Sequence, residues 1–167
     1  MGIPVRRATP ADTDELVRLR IVMLSAMEGA AVPPGDWSRR AAAELRRRLP
    51  VPDPEATLAA FVVDRPAPPG LAACAVGTID AHLGSPGNPD GAVGYIFNVA
   101  TDEQYRRQGF STACLEALLD WFTARAVPAV RLFATPGGQP IYERLGFTRE
   151  TNTAMRLRLA ARVHRAV

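Results

Sequence analysis

Lysine is absent from this chain. All 20 basic residues among the 167 are arginine, which excludes lysine-based catalysis and leaves no lysine side chain to be modified. With abundant Ala and Pro, this usage reads as coding bias. Cysteine is scarce. Cys74 falls in a strand pattern and Cys114 in a helix pattern, where a thiol behaves as a small buried hydrophobe, and neither has metal-ligand or redox-motif spacing. With only His82 and His164 besides, no metal site is expected. No apolar run approaches the roughly 20 residues that a membrane-crossing helix needs. The N-terminus, Met-Gly-Ile-Pro-Val-Arg-Arg, lacks a signal peptide's apolar core. A cytoplasmic address and no membrane partner are expected. Aromatics make up 7% of the chain, and no stacking platform accompanies the clusters Arg39-Arg40 and Arg46-Arg47-Arg48. Despite the net charge of +3, nucleic acid is not an expected partner; the arginines interspersed with Glu44 read as a solvated helix face.

What is present is an ordinary globular composition, 47% hydrophobic and 22% charged, long enough to bury most of its apolar surface in one domain. The expected domain spans residues 1–167, with a core over about 3–159 and a tail over 160–167. Val5–Arg7 reads as a short strand. Thr9-Pro10-Ala11-Asp12 reads as a helix start, with Thr9 as cap, proline at the first position and acids in the first turn. Leu16, Leu19, Met23, Leu24 and Met27 carry that helix to about Met27. Gly29–Gly35 is a loop, and a second, more polar helix spans Trp37–Leu49. Thr57–Asp64 and Leu71–Ala81 pair as a hairpin, and Ala92–Val99 is a third strand with Tyr95, Phe97 and Val99 on one face. Phe110, Ala113, Cys114, Ala117, Leu118, Trp121 and Phe122 form a helical stripe that begins one residue before the helix pattern Ser111–Arg125 and runs through it. Ala129–Ala134 follows as a strand parallel to its predecessor, and Gln139–Leu145 as a short helix ended by Gly146. Thr153–Leu159, alternating Met155, Leu157 and Leu159 with arginines, predicts a final strand. The order gives an α+β fold with a mixed sheet.

Between the third strand and the stripe lies Gln104-Tyr-Arg-Arg-Gln-Gly-Phe-Ser111. A strand leading through a basic, glycine-bearing loop into a helix makes a phosphate receptor. The first backbone N–H groups of a helix have no partner within it, and the macrodipole adds about half a positive charge there. Gly109 lets the backbone approach an anion closely, and Arg106 and Arg107 add positive field.

Two segments together resemble the GNAT superfamily of N-acetyltransferases. Arg106-x-x-Gly109-x-Ser111 is similar to its [QR]-x-x-G-x-[GA] loop, and Ile141-Tyr-Glu-Arg-Leu-Gly-Phe147 to its LYEKLGF segment. The predicted element order matches along nearly the whole chain. Ser111 stands where Gly or Ala is usual, and Thr135 stands seven residues before Tyr142 where Asn is common.

The resemblance implies an α/β/α acyl-CoA N-acyltransferase fold, with acetyl-CoA as acyl-donor co-substrate between the Ala92–Val99 and Ala129–Ala134 strands. Cofactor-binding groups would be Arg106, Arg107, Gln108, Gly109, Phe110 and Ser111 around the pyrophosphate, and Val99 and Thr101 along the pantetheine. It further implies Tyr142 as general acid and the Val99 backbone N–H as oxyanion donor. A base or acceptor site would draw on Glu28, Asp36, Trp37 and Asn98, of which Asn98 is no base and would orient water or substrate. Tyr142 also reads as a core aromatic with its hydroxyl bonded to backbone. The implied activity is transfer of acetyl to a primary amine, of unknown identity, on a small molecule or peptide by direct attack. A non-catalytic CoA-binding regulatory module is the alternative, and homodimerisation through the C-terminal strand stays open.

Overall fold

Two strands of this chain, Leu58–Asp64 and Leu71–Ala81, carry almost no polar side chain on either face. Such strands must be covered on both sides. In the computed structural model, which describes residues 2–159, they are β2 and β3 of a five-stranded sheet. Around them stand β1 (Arg6–Arg7), β4 (Ala92–Thr101) and β5 (Val130–Leu132), in the spatial order β1-β2-β3-β4-β5. β1 to β4 pair antiparallel, and β4 with β5 pairs parallel, as the intervening helical crossover predicts. The tail expected over 160–167 lies outside the described residues.

Helices α1 (Thr13–Glu28) and α2 (Asp36–Arg48) cover one face, and α3 (Phe110–Ala124) covers the other. On the α1 side Leu16 and Leu19 pack with Leu58, Val62, Cys74 and Val76. On the α3 side Leu115, Leu118 and Phe122 pack with Ala59, Ala75 and Ile96. The expected stripe on α3 is thus its buried face, and Cys114 and Trp121 are core residues within it. Gly77 lets α3 approach closely: a Cβ there would stand 2.8 Å from Phe122 Cζ. The short helix α4 (Gln139–Arg144) rests its Ile141 and Tyr142 against the α3-side core. Among the described residues no helix is long and apolar enough to cross a membrane.

Boundaries follow the sequence reading closely at the starts. Thr9 and Asp12 form a capping box, the Asp12 carboxylate accepting the Thr9 N–H at 2.7 Å, but the first turn, Pro10–Asp12, is 3-10 rather than α. Gly146 follows α4 with a φ of 91°, the expected terminator.

Two expectations are corrected. The strand predicted over Thr153–Leu159 does not form: residues 153–158 have no regular structure, and Met155, Leu157 and Leu159 are largely exposed. Alternation records a strand only where a neighbour takes up its backbone and a surface its apolar face, and β5, three residues long, offers neither to this segment.

The second correction concerns β4. Val76 faces Asn98 while Gly77 faces Ile96, so Phe97 is an extra residue, a β-bulge. The bulge breaks the alternation: Phe97 packs on the α1 side and Val99 on the α3 side. Tyr95 stacks with Phe97, their ring centroids 6.2 Å apart, so Tyr95, Phe97 and Val99 do not share one face.

Candidate functional site

β5 accompanies β4 only over Gly94↔Val130, Tyr95↔Arg131 and Ile96↔Leu132. β4 runs on to Thr101 with β3 as its neighbour throughout, so a gap opens beside its last residues. Which amides face that gap follows from the ladder. The Gly94 N–H donates to Ala129 O at 2.9 Å, so before the bulge the even-numbered amides point toward β5. The Asp102 N–H donates to Ala72 O at 2.8 Å, so after the bulge the even-numbered amides point toward β3. Alternation then aims the N–H groups of Val99 and Thr101 into the gap. The bulge at Phe97 makes this switch.

The chain leaves β4 through a 3-10 turn, Glu103–Tyr105, and enters the loop that precedes α3. Arg107 has φ 65° and Gly109 φ 82°, with one residue between them. Left-handed residues set into such a turn converge successive N–H groups on a concavity suited to an anion. Gly109 caps α3, and a Cβ there would add to the positive φ a 3.3 Å approach to Ile3 Cδ1. Arg106, Arg107, Gln108 and Gly109 are exposed, whereas Phe110 is half-buried beneath them against Tyr105. Ser111 Oγ lies 2.5 Å from Thr101 Oγ1. That bond spends the hydroxyl on tying the end of β4 to the first turn of α3.

The loop is anchored by a network that the sequence did not disclose. Asp102 lies 2.5 Å from Arg65 and 3.1 Å from Arg18. Arg18 also pairs with Glu15 at 2.7 Å and donates to Leu71 O, while Glu15 accepts the Leu71 N–H at 2.8 Å. Burial alone would raise the Glu15 carboxyl, but the bonds from Arg18 and Leu71 outweigh it and hold the group below its ordinary value. Apart from the Arg18–Glu15 pair, these partners lie tens of residues apart, beyond the reach of local pattern.

The second motif segment begins in α4. Tyr142 is half-buried against the same core as Val99, edge-on to Phe147 at 5.9 Å. Among the described residues its hydroxyl has no hydrogen-bond partner, so it is not the backbone-tethered aromatic that its position in a helix also allowed. Burial pushes the phenol above its ordinary value, and it keeps its proton at neutral pH. Thr135 turns inward on its own chain: its hydroxyl accepts the Gly138 N–H at 3.2 Å and its carbonyl accepts from Gly138 and Gln139.

On the α1 side, Glu28, Val32, Pro33 and Trp37 with Leu24 line an open hollow of about 510 Å³. The Trp37 Nε1–H donates to Pro33 O at 3.2 Å. Glu28 is exposed at the end of α1; Asp36 is exposed too, but is paired with Arg39. Asn98 is 2% exposed, donating to Cys74 Sγ at 3.4 Å and accepting from Arg20 Nη1 at 3.3 Å. Burial pushes the Cys74 thiol up to about 12, which makes it inert as a nucleophile at neutral pH. Among the described residues no cluster suited to a metal occurs. The arginine clusters pair with acids at the surface, Arg46 with Asp14 and Arg47 with Glu44.

The model of the acetyltransferase (GNAT) family matches residues 30–147. Among solved structures, the chain is similar to a predicted acetyltransferase with acetyl-CoA from Clostridium acetobutylicum, at 24% identity over 95% of this chain and 97% of that one, with a TM-score of 0.79. A GCN5-related N-acetyltransferase from Ralstonia eutropha JMP134 matches at 22% identity over 93% and 99%, TM-score 0.76. Glucosamine-6-phosphate N-acetyltransferase from Arabidopsis thaliana matches at 15% over 94% and 99%, TM-score 0.72. At these identities the likeness is one of fold. A comparison with curated proteins finds no match.

Proposed function

The chain belongs to the acetyltransferase (GNAT) family, and from that premise we propose that it transfers an acetyl group from acetyl-CoA to a primary amine by direct attack, as one catalytic domain. The observation that carries this reading is the amide edge of β4 that faces the gap, ending in the left-handed loop before α3. An extended pantetheine can add to such an edge as a strand would, at Val99 and Thr101. The amides from Arg107 to Ser111, at the start of α3, are placed to hold a pyrophosphate. Their backbone does the gripping; the exposed Arg106 and Arg107 side chains add field, and Ser111 acts through Thr101 rather than on phosphate.

The co-substrate supplies the activated thioester. The Val99 N–H stabilises negative charge developing on the thioester oxygen, since a donor fixed by the ladder costs no reorganisation. Tyr142, protonated at neutral pH and with a hydroxyl unpaired among the described residues, gives its proton to the departing sulfur. Of the two acids flanking the 29–35 loop, Glu28 stands at the hollow while Asp36 is engaged by Arg39, so the amine proton leaves through water beside Glu28. The test is thiol release from acetyl-CoA across a panel of primary amines, with a thermal shift by CoA as the binding readout. CoA protection with turnover of an amine supports the reading. Protection without turnover of any amine leaves a CoA-binding module, and no protection removes the reading altogether.

A further inference from the structure

Arginine supplies every side-chain cation of this chain apart from histidine, and among the described arginines that are not fully exposed the structure treats one unlike the others. Arg6, Arg7, Arg18, Arg48, Arg65 and Arg125 are, like Arg20, not fully exposed, and each of these six pairs with a carboxylate. Among the described residues Arg20 pairs with none. Its guanidinium lies 5.8 Å over the Phe97 ring and donates once, to the neutral amide oxygen of Asn98 at 3.3 Å. A guanidinium has five N–H donors, and a charge partly withdrawn from water is costly unless a counter-charge meets it. Arg18, two residues earlier, shows the satisfied alternative: two carboxylates and a carbonyl surround it.

Position gives the unmatched charge a meaning. Arg20, Leu24 and Glu28 recur every four residues and so form one stripe of α1; Leu24 and Glu28 line the hollow beside Trp37. The other end of Arg20 meets β4 at the bulge, against Phe97 and Asn98, next in sequence to Val99. Beyond Phe97 the part-exposed Tyr95 stacks at 6.2 Å, and Phe133 meets Tyr95 edge-on at 6.2 Å. A fixed cation therefore stands between the hollow and the β4 amide edge, with an aromatic strip beside it.

We infer that the acceptor amine carries an anionic oxygen group, a carboxylate or a phosphate, which the Arg20 guanidinium binds, with an apolar portion over Phe97 and Tyr95. This rests on the transferase reading for the amine, but not for the anion. Arg20 is a specificity-determining residue, and Asn98 positions it by holding Nη1.

Two measurements keep the two readings apart. In the first, the intact protein saturated with CoA is heated with phenylacetate or phenyl phosphate. Either anion should raise the melting temperature of the native protein and not of an Arg20→Gln variant, and the stronger of the two names the group. In the second, acetylation is followed by thiol release for L-phenylalanine against its methyl ester and for O-phosphoethanolamine against ethanolamine. Arg20→Gln should lower kcat/KM for the anionic member about 10- to 100-fold more than for its neutral partner, the range of a charge-assisted hydrogen bond, and Arg20→Lys should restore part of the difference. Comparing native protein with variant cancels the differing basicity of the amines. Protection by CoA in both variants shows that they fold. Equal losses for both members, or no protection by either anion, overturn the assignment and make Arg20 a structural pin. Anion protection without acetylation of any amine upholds the assignment and removes the transferase reading instead.

Discussion

β3 and β5 flank β4 on opposite sides and treat it differently. β3 pairs with β4 along its whole length, from Ala73↔Thr101 to Ala81↔Ala92, and is buried over most of that run. β5 lets go after three residues. One edge of the same strand is spent on stability, and the other, on the proposed reading, receives a ligand. An unpaired amide edge is costly unless water or a partner reaches it, so the proposed function uses the open edge while the closed one holds the fold.

Substitutions can test that division. The largest effect is expected on the closed side. Phe122 is 1% exposed, and its ring lies against Gly77; Phe122→Ala should cost about 3–5 kcal/mol of folding stability by chemical denaturation. On the open side Tyr142→Phe should cut kcat by about 100-fold or more while the unfolding midpoint and the thermal shift by CoA hardly move. A phenol that donates must be protonated, so kcat falls as pH rises through its pKa. Burial raises that value, so the native protein should lose activity only above the ordinary tyrosine range near pH 10, and the variant should lack that limb. Loss of stability without loss of turnover would move Tyr142 to the closed side.

Gly109→Ala probes the loop, where φ is 82°. A Cβ in that conformation costs about 1–2 kcal/mol, which should appear as a rise of roughly tenfold in the KM for acetyl-CoA. The smallest effect is expected beyond the sheet: Leu157→Ser, at a residue 64% exposed, should shift stability by no more than about 0.5 kcal/mol. A larger loss, or a change in oligomeric state, would mean that the segment has a partner.

The same division explains what was legible in the sequence. The α3 stripe announces itself because one face of that helix is buried at helical period, and the runs of β2 and β3 because those strands are buried on both faces. The Arg106–Ser111 loop and the Tyr142–Phe147 segment were legible as motifs. The bulge was not: Phe97 is flanked by Ile96 and Asn98, and no Gly or Pro marks it, so uninterrupted alternation put Val99 on the wrong face. Arg20 and Asp102 were missed because their neighbours are far away in sequence, Asn98 for the one and Arg18 and Arg65 for the other. Thr153–Leu159 misled for the opposite reason, having the rhythm of a strand without a neighbour to pair with.

The bulge at Phe97 also makes the reaction centre an all-or-none address. Side-chain changes along β4 can tune it by degrees, because they leave the count of residues alone. Were Phe97 to take a regular place in the ladder, the even rhythm would run on and present the amides of Asn98 and Ala100 to the gap instead of Val99 and Thr101. The address is therefore set by the register of β4 against β3, and not by the chemistry of the side chains that β4 carries.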